Sequence, residues 1–147
     1  MKHRIFQAHT QSGITLIEVL ISILVVNIGL LGLAGLFINS LKSTNEGYLY
    51  SQVVALTYDM TDRIRANPSA LNAYTNTPTT KLAKDCAQAT CSPRELAAYD
   101  LFTWKQQLDI ALPSPTPTIT VNGTSAVIEV TWNVAGQSNT FQLDMTP

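Results

Sequence analysis

From Val19 to Leu41 the chain runs 23 residues without a charge, and only Ser22, Asn27, Asn39 and Ser40 in that run are strongly polar. About 20 apolar residues, each rising ~1.5 Å, cross a hydrocarbon core of ~30 Å as a helix. The run is apolar on every side, as a lipid-facing or bundle-core helix should be. Gly29, Gly32 and Gly35 interrupt it, each at a cost of about 1 kcal/mol against alanine. Their spacing admits a close neighbouring backbone, although it is not the four-residue small-residue repeat. Small residues packing against lipid explain it equally well. The exception at the start of the run is Glu18. A carboxylate in or near a membrane is costly and points to function.

Beyond residue 41 the pattern becomes amphipathic. Leu49, Val53, Leu56, Met60 and Ile64 recur at spacings of three and four, which is one face of a helix. The expectation is a single helix from Ile14 to Ala66, with its second half packed on a globular head. Asp59 and Arg63 are placed for a surface pair worth about 0.3–0.5 kcal/mol. Arg63 and Arg65 suit the helix C-terminus, and Asn67-Pro68 stops it. Pro68 to Asp85 reads as linker, because Thr75-Asn76-Thr77-Pro78-Thr79-Thr80 has turn composition without a period.

Ser92-Pro93-Arg94-Glu95 then opens a second helix with a cap, a proline at the first position and a capping box. Ala97, Leu101, Trp104, Leu108 and Ala111 are its expected stripe, with Trp104 in the core. Pro113, Pro115 and Pro117 end it as a stiff connector. From Thr118 the period is two. Ile119 and Val121 alternate, Asn122-Gly123 marks a hairpin turn, and Ala126, Ile128, Val130 and Trp132 share a face. Gly136 lies in the next turn, followed by Phe141, Leu143 and Met145. The expectation is a three-stranded antiparallel meander. Asn122-Gly123-Thr124 also matches a glycosylation acceptor, but a hairpin turn explains the Asn-Gly. The fold class is therefore α+β: a long N-terminal helix on a small head holding one further helix and a β-meander. The expected segments are 1–13, 14–41, 42–67 and 68–147.

Charge gives this arrangement a direction. Net charge is −1 and 13% of residues are charged, with neither a basic patch for nucleic acid nor an acidic tail. Lys2 and Arg4 precede the apolar run; the other seven basic and all ten acidic residues follow Ile14, for a net of −3. The positive-inside rule keeps the N-terminus cytoplasmic and places the remainder across the membrane. Cys86 and Cys91 fall on that far side, where an oxidising compartment allows a disulfide. The rival reading, a metal site, lacks a second cysteine pair and a nearby histidine. The short basic stretch ending at Gly13 precedes the apolar run. An ordinary secretory leader is cut after its apolar region. A cut at Gly13 would retain the span; an uncut single-span anchor is the alternative.

Gly13-Ile14-Thr15-Leu16-Ile17-Glu18, followed by a long apolar run, resembles the class III signal of type IV pilins and pseudopilins. The resemblance implies that a prepilin peptidase cuts after Gly13 and methylates the new amine of Ile14. It also implies that Glu18 assists assembly by pairing with a neighbouring subunit's N-terminal amine. One departure is Ile14, where the family usually has phenylalanine. Three further stretches are similar to the type IV pilus modification protein PilV family of minor pilins. They are Gly29 to Leu36, Ala55-Leu56 with Asp62 to Pro68, and Cys91-Ser92-Pro93 with Glu95 to Ala97 and Asp100 to Trp104. The partners implied are the peptidase, the major pilin, other minor pilins and the inner-membrane assembly machinery. The implied setting is the inner membrane with a periplasmic head, then the pilus.

An enzyme is not expected. His3 and His9 are the only histidines and both precede the expected cut, so the mature chain would lack the commonest general base and metal ligand. No phosphate-binding or dinucleotide fingerprint occurs, and no cofactor is implied. Asp85, Asp100, Asp109, Glu129 and Asp144 are scattered along the chain and read as solvated surface. The function expected is that of a minor pilin in pilus assembly, adhesion and twitching motility. The alternatives are a minor pseudopilin of a type II secretion system and a single-span anchored periplasmic binding domain or enzyme.

Overall fold

The computed structural model describes residues 13–75 and 84–146. The expected leader through Ser12, with both histidines, and the centre of the expected linker (76–83) lie outside the described residues. The chain divides into two compact units, Met1–Lys42 and Ser43–Pro147. Its elements are α1 (Leu16–Ala66), a 3₁₀ turn (Pro68–Tyr74), α2 (Pro93–Ala111), β1 (Thr116–Asn122), β2 (Ser125–Val134) and β3 (Gln137–Met145). This is the α+β fold expected from the hydrophobic pattern, and it is pilin-like as the resemblance implies.

In the first unit α1 is long and apolar enough to cross a membrane. Its large apolar side chains from Ile14 to Leu41 are 45–91% exposed. So continuous an apolar surface calls for lipid or partner helices. The helix starts at Leu16 rather than Ile14 because the first turn closes on the Thr15 carbonyl, which accepts the N–H groups of Glu18 at 3.1 Å and Val19 at 3.3 Å.

In the second unit α1 buries Leu49, Val53, Thr57, Met60, Thr61 and Ile64. The stripe differs from the expected one: Leu56 is half-buried and two threonines complete the face. The indole N–H of Trp104 donates to the Leu56 carbonyl at 2.9 Å, pinning α2 to α1. Trp104 is fully buried, as expected.

The expected linker is partly structure. Pro68–Tyr74 forms a 3₁₀ turn with a break at Ala70, and Ala70 and Tyr74 are buried. A short 3₁₀ piece carries too few residues to show a period. α2 begins as the sequence indicates, with Pro93 at the start and both halves of the Ser92–Glu95 capping box formed. Its buried stripe is Ala97, Asp100, Leu101, Trp104 and Leu108. Leu112 closes it where Ala111 was expected, and Ala111 is only half-buried.

The sheet has the order β1-β2-β3, antiparallel throughout. Pro117 belongs to β1 and is fully buried, so the proline connector is shorter than expected. A proline is tolerated there because β1 is an edge strand. Pairing sets Ile119, Ile128 and Leu143 in one row on the core side and Pro117, Val130 and Phe141 in the next. The first hairpin loop is Gly123-Thr124, one residue later than Asn122-Gly123. Gly123 has φ +64°, the position a type II′ turn assigns to glycine. The second loop, Ala135-Gly136, has both residues at positive φ, as a type I′ turn requires. One core joins the head portion of α1, the 3₁₀ turn, α2 and the sheet.

Candidate functional site

Gly13, Ile14 and Thr15 lead non-helically into α1, and Glu18 lies in its first turn. All four are exposed. Glu18 is in the third helical position, where the N-terminal end of the helix favours an acid by about 0.3–1 kcal/mol. Inserting a carboxylate into a membrane helix costs several times more, about 2.5–3.5 kcal/mol at its centre. A Cβ added to Gly13 would meet nothing within 4 Å, so the fold itself does not require glycine there. The Glu18 carbonyl accepts the Ser22 hydroxyl at 2.7 Å. Gly13, Ile14 and Glu18 are thus contiguous along one exposed helix start.

A second constellation lies within the head. Asp59 and Arg63 lie four residues apart on α1, and Asn67, four residues further on, caps the 3₁₀ turn just beyond its end. Arg63 Nε donates to Asp59 Oδ2 at 2.9 Å, and its Nη1 donates to Asp100 Oδ1 at 3.3 Å and Thr103 Oγ1 at 3.1 Å. Tyr74 Oη donates to Asp100 Oδ2 at 2.8 Å. Asn67 Nδ2 donates to Tyr74 Oη at 3.3 Å and to the Pro93 carbonyl at 2.8 Å. Burial, reinforced by the Asp100 carboxylate, pushes the Tyr74 phenol well above its ordinary value, although the Asn67 bond opposes the shift. The network ties the end of α1 and the 3₁₀ turn to α2. The Asp59–Arg63 pair forms as expected, but Asp100 is buried rather than solvated. Its position between Ala97 and Trp104, three residues from one and four from the other, places it on the buried face of α2; that spacing was the available signal.

Cys86 and Cys91 form a disulfide. Just beyond it, Glu95 Oε2 accepts the Ser92 N–H at 2.7 Å, and Lys84 Nζ lies 3.1 Å from the same carboxylate. These bonds, led by the Ser92 backbone, lower the Glu95 carboxyl from 4.5 to about 2. Among the described residues no group of three or more His, Cys, Asp or Glu side chains is arranged to hold a metal. A groove of about 360 Å³ is lined by Ser43, Glu46, Gly47, Tyr50, Trp132, Val134 and Asn139.

Residues 8–34 match the family model described as the prokaryotic N-terminal methylation motif. Residues 35–102 match the model described as Tt1218-like, type IV pilin Tt1218. The matches support a type IV pilin. No curated protein and no solved structure matches the chain. The two pilin segments abut and contain Gly13 to Glu18, all of α1, the disulfide and the first half of α2; the β-meander lies beyond them. The methylation motif implies processing by a prepilin peptidase and assembly into a pilus-type structure, and the apolar helix fits membrane anchoring.

Proposed function

We propose that the chain is a minor pilin of the PilV kind. It is held in the inner membrane with its head in the periplasm, then incorporated into a type IV pilus or used to start one. In this reading it is a structural subunit, without catalytic activity, supporting pilus-dependent adhesion and twitching motility. Its partners are the prepilin peptidase, the major pilin, other minor pilins and the inner-membrane assembly machinery.

The observation that carries the proposal is Glu18, an exposed acid at the start of an apolar helix, four residues after Ile14. The peptidase cuts after Gly13 and methylates the Ile14 amine. The exposed, unencumbered backbone at Gly13 suits a protease that needs close approach. In lipid Glu18 is costly. Among packed helices, a neighbouring subunit's N-terminal amine offsets that cost and fixes the axial register. The pair acts as a register selector, since a buried ion pair contributes little net stability.

The test is Glu18→Ala in cells that make the complete pilin set. The variant is expected to insert and to form the Cys86–Cys91 disulfide, but to lose co-purification with the other pilins and to reduce surface piliation. Unchanged co-purification and piliation would refute this role for Glu18.

A further inference from the structure

The sheet has two edges, and the protein treats them differently. At β1, Pro117 removes a backbone donor and the 3₁₀ turn packs alongside. Both are recognised ways of closing an edge. β3 is nine residues long and carries no proline, lysine or arginine. Among the described residues nothing pairs with its outer side.

The register identifies which groups face outward. The two-residue loop Ala135-Gly136 makes its flanking residues Val134 and Gln137 a hydrogen-bonded pair. Such pairs alternate along an antiparallel ladder. Asn139, Phe141, Leu143 and Met145 therefore bond inward to β2, while Ser138, Thr140, Gln142 and Asp144 direct their N–H and C=O groups outward. The opposite side of β2 agrees: the Asn133 N–H reaches away from β3 to the Pro113 carbonyl at 3.2 Å.

Two observations describe what would complete this edge. In the core-side rows Val130, Ile128, Pro117 and Ile119 are buried, but their β3 neighbours stay half-exposed: Phe141, although its ring meets Tyr50 edge-on at 5.7 Å between centroids, and Leu143. A fourth strand with apolar residues at two alternate positions would cover them. Asp144 is the only charge on β3 and, among the described residues, takes part in no ion pair. A basic residue beside it would be favourable. A second copy of β3 brings no base to that position, which disfavours self-pairing.

We propose that the outer edge of β3 accepts an extended segment from the head of a different pilin subunit, apolar at two alternate positions and basic beside Asp144, as a fourth antiparallel strand. Backbone bonds at Ser138, Thr140, Gln142 and Asp144 supply the affinity, and Phe141, Leu143 and Asp144 select the segment. The identity of the partner as a pilin rests on the proposed function above.

The test uses the full chain in detergent, alone and co-purified from cells making the complete pilin set, followed by amide hydrogen exchange. Alone, the Thr140 and Gln142 amides are expected to exchange freely while those of Phe141 and Leu143 are protected. In the complex all four become protected. Gln142→Pro removes an outward donor without breaking the β2–β3 ladder, so it should cut co-purified pilins about tenfold or more at an unchanged unfolding midpoint. Thr140 and Gln142 already protected in the chain alone, unprotected in the complex, or full recovery of partners with Gln142→Pro would each overturn the proposal. A mature chain beginning at Met1 would instead refute the pilin reading, and with it a pilin as the occupant, whatever the exchange at β3.

Discussion

Thr57 carries an unpartnered polar atom in the core, its Oγ1, while the hydroxyl of Thr61 one turn later donates to the Thr57 carbonyl at 2.9 Å. An unpaired buried hydroxyl costs about 1–3 kcal/mol, and valine keeps its shape. Thr57→Val should therefore raise stability by about 1 kcal/mol. A urea midpoint that stays put or falls would show that the hydroxyl has a partner. Asp100 has the opposite character. Its carboxylate receives Arg63 and Tyr74 from two other elements. Asp100→Ala removes the acceptor of the Tyr74 hydroxyl and one of the three acceptors of Arg63, which keeps Asp59 and Thr103, and should cost about 1–3 kcal/mol. Tyr74→Phe removes only the hydroxyl and should cost about 1 kcal/mol. Equal losses in the two variants would mean that Arg63 contributes nothing through Asp100. Ala135, at φ +49°, occupies a conformation that costs an L-residue about 1–2 kcal/mol. Ala135→Asn should recover about half a kcal/mol or more, read as a higher melting temperature.

The start of α2 couples three devices: the disulfide, the Ser92–Glu95 box and Lys84. Its stability is therefore pH-dependent in a defined direction. The Glu95 carboxyl lies at about 2 in the folded head against 4.5 ordinarily. The folded state thus favours the ionised form. Its contribution is complete above pH 4.5 and is lost as pH falls toward 2. In Glu95→Gln the fall in stability between pH 4.5 and 2 should be shallower than in the parent chain. Parallel pH profiles would remove Glu95 as the cause. This element was legible in advance because its signals are local: serine, proline and glutamate within four residues, then a stripe of period 3.6. The strands were legible through their alternation. The 3₁₀ turn was not, because Ala70 and Tyr74 are buried by residues distant in sequence. Pro117 misled for a similar reason, since an edge position, not composition, decides whether a strand accepts proline. The Arg63–Asp100–Tyr74 network was hidden because it joins residues up to 37 positions apart. The segment from Gly13 to Glu18 was readable because its whole signal is contiguous.

The two units have different physical demands. The head has its own core and a closed polar network. The N-terminal unit presents exposed apolar side chains on every side and one acid; in the proposed role it meets lipid first and packed helices afterwards. In the proposed role Glu18 connects those two settings, and a cut after Gly13 creates the amine at Ile14. The proposed role depends most directly on where the mature chain begins. Intact-mass and N-terminal peptide analysis of the protein from its native membrane measures this. The expected first residue is N-methylated Ile14, without residues 1–13. A mature chain that still begins at Met1, with an unmethylated amine, would contradict it.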